Sequence, residues 1–291
     1  MARQSASLPA WCLRVIIPAM MTNRLIRGLF LAQGLALCLA ASARAEVVPP
    51  PGMDVYVLSE VHDNPAHHAE QARLVALIAP GAVVWEMLSP GQLDGLAGVD
   101  RADAVAMGAA LGWAAAGWPD FAMYHPIFLA AGNAPHIAAA VPRDEVGPVL
   151  AGGLEAALAA QAVAEWGLGP LPAEDQAARE AEQRIAHCNA LPEEMLPGMV
   201  AVQRLRDWAL ASAAVAAVEA GQGPVVVITG TGHARTDEGA PALIAVARPG
   251  LKVWSLGQVE DDPGPDAPFD AVNITAPVPR EDPCAAFAEG G

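Results

Sequence analysis

Short apolar runs alternate with stretches of helical periodicity from residue 53 onward. Apolar and β-branched runs that are bounded by turn residues are typical of buried strands. Three such strands are predicted at residues 53–59, 82–87 and 137–141. A helix is predicted at residues 65–79, where Leu74, Leu77 and Ile78 form an apolar stripe. A helix that links two strands in this way predicts a right-handed crossover and a parallel pair.

The rest of the chain separates into a helical region and a second set of strands. Between the second and third strands, residues 89–118 show weak helical patterns and the aromatic segment 121–128 is expected to open another helix. No strand pattern is present at about 145–220, where helices are predicted at residues 152–166, 172–187 and 193–219. Strands are then predicted at residues 225–228, 251–256 and 269–275, with a helix at 241–246. The pattern predicts an α/β fold, a mostly parallel sheet flanked by helices, with an all-helical insertion before the strand at about 225.

The first 45 residues have the pattern of a secretory signal peptide. Arg24 and Arg27 precede an apolar run at residues 29–41, and Ala-Arg-Ala at 43–45 is a small-x-small cleavage motif. Residues 1–19 are interpreted as an upstream extension. The mature protein is therefore expected to be one α/β domain at 46–291, including the insertion at about 145–220, without a membrane span after cleavage. We expect a periplasmic or secreted protein.

Charge excludes some classes of partner. The 291 residues include 16 basic and 32 acidic ones, and removal of the first 45 residues leaves 11 basic residues and a net charge of −21. A chain this acidic is unsuited to nucleic acid and to anionic lipid surfaces. Two cysteines, Cys188 and Cys284, remain after cleavage, and an even pair in an exported chain predicts one disulfide. The alternative is two unrelated buried thiols.

Polar side chains follow several predicted strands at the points where the strands end. Glu60 and His62 follow the first strand, Glu86 the second, Arg143 the third and His233 the strand at 225–228. The carboxyl ends of parallel strands share one edge of a sheet, so these groups are expected to converge.

Convergence at that edge leaves three interpretations open. One is a site for a divalent metal such as Mn, Zn or Co, held by Glu60, His62, Glu86 and His233. Another is metal-free hydrolysis, with His62 as general base and Arg143 binding an anion or oxyanion. The third is a buried salt-bridge network that has only a structural role.

The opening stretch also resembles a known family. Residues 59–65, Ser-Glu-Val-His-Asp-Asn-Pro, with His67, His68 and Gln71, resemble the signature of the ChaN-like haem-binding uptake family. That family belongs to a superfamily with the Tiki proteases and erythromycin esterases, and its usual pattern has glycine where this chain has Ser59. The resemblance implies an α/β core with a helical insertion, a role in haem or iron uptake, and a homodimer that pairs two haems face to face.

The resemblance also implies a tyrosine and a histidine near the iron. The candidate iron ligands are Tyr124 and His125 in the aromatic segment, and His67 and His68 in the first turn of the helix at 65–79. Aromatic packing is the alternative role for Tyr124. The sequence therefore predicts an exported protein that binds haem or another small molecule. The alternatives are a metal-dependent or His/Glu-dependent peptidase or esterase, and a scaffold protein with an inert site.

Overall fold

A computed structural model describes residues 46–282 and 284–285. Its strands are β1 (Val55–Glu60), β2 (Ala82–Trp85), β3 (His136–Ala138), β4 (Val225–Gly230), β5 (Val253–Val259) and β6 (Ala271–Ile274). The α-helices of these residues are α1 (Pro65–Ile78), α2 (Ala104–Ala110), α3 (Trp113–Ala116), α4 (Phe121–Ala130), α5 (Arg143–Gly152), α6 (Ala160–Glu165), α7 (Ala173–Ala186), α8 (Leu196–Glu219) and α9 (Ala240–Ala247). Short 3-10 helices lie at Gln92–Leu96, Leu154–Ala156, Glu193–Met195 and Thr231–Ala234.

The six strands form one sheet in the order β3-β2-β4-β1-β5-β6, and every neighbouring pair is parallel. This confirms the predicted α/β class. The expected pairing of the first two strands is wrong, because β4 lies between β1 and β2. The reason lies in the apolar run at 225–228, whose residues are all 0% exposed. A strand that is apolar on both faces is stable at the centre of a sheet, where both faces are covered.

Alternate residues of the central strands pack into two helical layers. Val225 and Val227 face the layer that contains α8, whereas Val226 and Ile228 face the layer that contains Tyr124 of α4. This alternation follows from the two-residue period of a strand. Both layers bury apolar side chains, so the carboxyl edge of the sheet is the place where polar groups can emerge.

The region at about 145–220 is helical, as predicted, but it is more than a cover over the sheet. Its long helix α8 buries Leu205, Leu210 and Ala211 against one sheet face. Helix α5 was not predicted, because Gly147 and Pro148 lie inside it and both residues disfavour helix interiors. The helical region therefore supplies one of the two layers of the core.

The predicted disulfide is present between Cys188 and Cys284, across a sequence separation of 96 residues. It links the turn that follows α7 to the C-terminal segment. Cys188 and Asn189 both have positive φ values of 59° and 57°, so this turn has a left-handed backbone.

Ser59, where the family pattern has glycine, is fully buried in β1. The regular pairing of β1 with β5 ends at Leu58 and Leu256. Beyond that point the Ser59 hydroxyl accepts a hydrogen bond of 2.6 Å from the backbone N–H of Gln258. The side chain thus satisfies a buried donor that the strand ladder no longer reaches.

The proposed signal peptide and its upstream extension lie outside the described residues. None of the described helices combines the length and the apolar character that crossing a bilayer requires. Localisation therefore stays a prediction from the sequence.

Candidate functional site

The carboxyl ends of β1, β2 and β4 open into a cavity of about 910 Å³. Glu60 is the last residue of β1, Glu86 directly follows β2, and His233 lies in the 3-10 helix that follows β4. All three line the cavity together with His62 and Arg143. The structure therefore brings together the five side chains that were selected as strand-end candidates.

Arg143 reaches the cavity by a different route from the one predicted. The third strand is short and ends at Ala138, and Arg143 is the first residue of α5. Its side chain is exposed, whereas Glu60 and Glu86 lie deeper in the cavity wall. The arginine is thus on the solvent side of the carboxylates.

Glu60 is the centre of a buried network. Its Oε1 accepts a hydrogen bond of 2.7 Å from the hydroxyl of Tyr124 and lies 2.8 Å from Nδ1 of His62. Its Oε2 lies 3.3 Å from Nδ1 of His68, an ion-pair distance without hydrogen-bond geometry. Burial favours the protonated carboxyl, but the close contacts and positive charges of His62 and His68 outweigh burial and lower the pKa of Glu60 to about 2. Glu60 is therefore an ionised carboxylate inside the protein.

The pKa values of the two histidines shift in the opposite direction from that of Glu60. Burial disfavours their charged forms, yet the Glu60 carboxylate raises the pKa of both His62 and His68 above the ordinary value. Nε2 of His68 donates to the carbonyl of His62 at 2.9 Å, so this ring is held at both ends. His62 differs, because 34% of its side chain is exposed and no group in residues 46–282 or 284–285 makes a hydrogen bond to its Nε2. It is the member of the network that a ligand can reach.

A second carboxylate–imidazole pair lies on the other side of the cavity. Nδ1 of the buried His233 donates to Oδ1 of Asp207 at 2.6 Å, and its Nε2 lies 3.6 Å from Oε1 of Glu86. The other oxygen of Glu86 accepts hydrogen bonds from the Thr229 hydroxyl at 2.7 Å and the Gly230 N–H at 2.6 Å. Burial opposes the charged form of His233, but Glu86 and Asp207 raise its pKa. Burial also raises the pKa of Asp207.

Gly230 keeps the two pairs close together. A Cβ at this position would lie 3.0 Å from Nε2 of His62 and 3.5 Å from Oε2 of Glu86. Any larger residue would push the His62 ring away from the sheet edge. The preference for glycine here concerns space and not backbone conformation, since the backbone is an ordinary extended one, with φ −64°.

Asp207 was not selected from the sequence, because it comes from a helix and not from the end of a strand. Gln203 and Asp207 are four residues apart on α8 and both contact His233. Their i, i+4 spacing places them on one helix face. That spacing is the signal from which this part of the site could have been identified.

The four candidate iron ligands are all engaged inside the protein. The hydroxyl of Tyr124 binds Glu60, and Nε2 of His125 donates to the carbonyl of Arg101 at 2.7 Å. Nδ1 of His67 accepts from the Val61 N–H at 2.9 Å, and burial lowers the pKa of His67 to about 4. The structure does not bring these side chains to one open surface. It places Tyr124 against the His68 ring, with ring centroids 4.1 Å apart.

The metal interpretation of the strand-end cluster is not supported by the geometry. Within residues 46–282 and 284–285, no three His, Cys, Asp or Glu side chains are arranged as a group that could hold a metal ion. Nδ1 of His62, Nδ1 of His233 and Oε2 of Glu86 are already hydrogen-bonded within the protein. The cluster in this arrangement is a network of carboxylate–imidazole pairs.

Comparisons with known proteins give two findings. Residues 51–244 match the sequence model of a family described as haem-binding uptake, Tiki superfamily, ChaN. The fold is similar to the solved structure of ChaN of Campylobacter jejuni, which binds haem cofacially, with a TM-score of 0.57 and 18% identity over 76% of this chain and 86% of that one. This likeness shows a shared fold. No curated protein sequence matches the chain.

Proposed function

The chain belongs to the haem-binding uptake family of the Tiki superfamily that includes ChaN, and we propose that it is an exported protein that binds haem for iron uptake or handling. The observation that carries the proposal is the extent of the family match. Residues 51–244 include every residue that lines the 910 Å³ cavity, from Glu60 to His233. The segment that defines the family is therefore the segment that builds the cavity.

The side chains around the cavity fit a flat apolar ligand that carries carboxylates. Its volume lies in the usual range for small-molecule sites, about 300–1,000 Å³. Met87, Trp118 and Leu210 supply apolar contact, and Arg143 and Arg206 supply positive charge. Bound haem would contribute an iron centre that accepts a nitrogen or oxygen ligand. Of the two imidazoles in the cavity wall, His233 has both nitrogens in contact with protein groups, whereas Nε2 of His62 has no hydrogen-bond partner in the described part of the chain.

His62 is suited to an iron contact for a second reason. Its Nδ1 is hydrogen-bonded to the Glu60 carboxylate at 2.8 Å. A carboxylate on the far nitrogen fixes the orientation of an imidazole and strengthens its other nitrogen as a metal ligand. The candidates Tyr124 and His125 would first have to leave the partners that they have here.

Titration of the chain from Glu46 onward with hemin tests the proposal. We expect a saturable shift of the Soret band, and absence of saturable binding would refute haem binding. His62→Ala should change the spectrum of the bound form. Ligation by Tyr124 or His125 predicts instead that Tyr124→Phe or His125→Ala changes it. Sedimentation of the loaded protein would show whether a homodimer forms, and N-terminal sequencing of the cell-derived protein would test cleavage before Glu46.

The paired imidazoles favour hydrolysis of an ester or peptide as a second candidate function. Two carboxylate–imidazole pairs face one cavity, and the raised pKa of His62 suits a group that exchanges protons near neutral pH. Hydrolysis of a panel of esters and peptides that His62→Ala abolishes would support this function. Activity that survives in His62→Ala would exclude this residue as the base. Loss with a chelator, and recovery with Mn, Zn or Co, would show a metal-dependent reaction.

A further inference from the structure

The arginines of the described residues divide into two groups. Eight of the ten make hydrogen bonds or ion pairs with other protein groups: Arg73, Arg101, Arg179, Arg184, Arg204, Arg235, Arg248 and Arg280. Arg143 and Arg206 make neither kind of contact within the described part of the chain. Both of them line the cavity at the carboxyl edge of the sheet.

This division is unexpected in so acidic a protein. Acidic residues outnumber basic ones by 32 to 16 in the whole sequence, so carboxylate partners are plentiful. Surface arginines such as Arg248, which pairs with both Glu165 and Glu219, show how readily such partners are found. Two guanidinium groups without partners in one cavity therefore indicate a place that is kept for an anion from outside the protein.

The position of Arg206 strengthens the argument. This side chain is half-buried, and its charge acts on the buried ring of His233, where it opposes protonation. Arg206 lies three residues after Gln203 on α8 and, like Gln203, lines the cavity, so its guanidinium is placed to pair with a ligand carboxylate there.

The cavity is also polarised. Glu60 is buried and Glu86 is partly buried at its inner wall, and both are ionised, whereas Arg143 is exposed. The carboxylates of the inner wall are paired with His62, His68 and His233, so the unpaired positive charge on the arginine side is what attracts a ligand carboxylate. The apolar contacts of Trp118 and Leu210 then remain for the body of the ligand.

We propose that Arg143 and Arg206 are the anion-binding residues of this cavity, and that its ligand carries two carboxylates on an apolar body. The inference builds on the proposed function, under which the two groups are the propionates of haem. It assigns the affinity for the ligand to these two guanidinium groups, in addition to any contact that the iron makes.

The test compares porphyrins with free and with esterified carboxylates. Binding of protoporphyrin IX and of its dimethyl ester is measured by quenching of tryptophan fluorescence for the wild type, Arg143→Gln and Arg206→Gln. Neither porphyrin contains iron, so the comparison isolates the carboxylates. Arg248→Gln makes the same change of charge at a distant, paired arginine and is the control. Circular dichroism confirms that each variant is folded, which is expected because neither guanidinium has an internal partner to lose.

Each cavity variant is expected to bind the free acid about ten-fold more weakly than the wild type, since one charge-assisted contact is lost. Binding of the dimethyl ester should be unchanged in all variants, and the control should match the wild type for both porphyrins. Wild-type affinity for the free acid in Arg143→Gln and Arg206→Gln would overturn the proposal. Equal loss of acid and ester would also overturn it.

The hemin titration separates this inference from the proposed function. If the wild type binds protoporphyrin IX but not hemin, haem binding fails while the assignment of the arginines is still decided by the ester comparison. If the wild type binds neither protoporphyrin IX nor hemin, the comparison moves to hexadecanedioic acid, which also carries two carboxylates on an apolar body, and to its dimethyl ester. Absence of binding there, or binding that both arginine variants leave unchanged, would overturn the inference.

Discussion

Replacing Tyr124 with phenylalanine removes one oxygen atom from the centre of the Glu60 network. The side chain is 0% exposed, and its hydroxyl donates to Oε1 of Glu60 at 2.7 Å. Phenylalanine retains the ring and its packing against Trp113 and His68, so no large cavity forms. The change therefore isolates a single hydrogen bond to a buried, ionised carboxylate.

A hydrogen bond to a charged partner contributes about 1.5–3 kcal/mol net, and a buried acceptor that loses a donor pays its desolvation cost in full. Glu60 keeps His62 and His68 as partners in the variant, which limits the loss. We expect Tyr124→Phe to lower the free energy of unfolding by about 2 kcal/mol. The loss should shrink as the pH falls from the ordinary glutamate value of 4.5 towards the Glu60 pKa of about 2, because the acceptor then loses its charge.

Urea unfolding followed by circular dichroism measures the effect, and Tyr56→Phe is a matched control. Tyr56 is 4% exposed, and its hydroxyl donates to the neutral carbonyl of Pro50, also at 2.7 Å. That loss should be about 1 kcal/mol or less. If Tyr124→Phe costs no more than Tyr56→Phe, then Glu60 is not the ionised centre of the network and the interpretation of the site is wrong.

Three further predictions concern the close contact between Gly230 and His62, the dependence of stability on pH, and the disulfide. Gly230→Ala should displace the His62 ring and destabilise the protein by about 1–3 kcal/mol, with a changed hemin spectrum; wild-type behaviour in both assays would refute the close approach. The raised pKa values of His62 and His68 add stability that is present in full below about pH 6.5 and is lost as the pH rises through the raised values, so urea midpoints should fall as the pH rises above about 6.5. Cys188→Ser, which breaks the bond to Cys284, should cost about 4–5 kcal/mol, and a wild-type stability that is the same under oxidising and reducing conditions would contradict that bond.

Local sequence patterns were sufficient to identify most of the strands and helices. The apolar runs that became β1, β4 and β5 are bounded by turn residues. Helix α1 begins at Pro65, directly after the N-cap residue Asn64, whose side chain accepts a hydrogen bond from the Ala66 N–H. The pattern indicated α4 in spite of its Pro126, but it failed at α5, where Gly147 and Pro148 both lie inside the helix. Packing against α8 stabilises that helix in spite of its Pro148.

The order of the strands could not be read in the same way. A β-α-β spacing shows that two strands are parallel, but it does not show whether a third strand enters between them. The insertion of β4 depends on burying an all-apolar strand on both faces, which involves residues about 140 positions away from β2. Long-range burial of this kind leaves no local signal.

The candidate site could likewise be predicted only in part from the local sequence. Strand-end positions alone identified Glu60, His62, Glu86 and His233, because parallel strands deliver their carboxyl ends to one edge. The sequence also contained the family signature and both cysteines of the disulfide. What it did not contain was the partner of each polar atom. Tyr124 was expected near iron but lies buried on Glu60, and Asp207 was overlooked although it orients His233.

The sequence thus determines which side chain is present at each position, whereas the charge and the pairing of that side chain depend on its neighbours in space. A buried carboxylate can be neutral or ionised, and only the approach of the two imidazoles makes Glu60 ionised. An arginine can be paired or free, and only the tertiary structure shows that Arg143 and Arg206 have no partner among the described residues. The sequence determined which groups are available at the sheet edge. The fold decided which of them neutralise one another and which can meet a ligand.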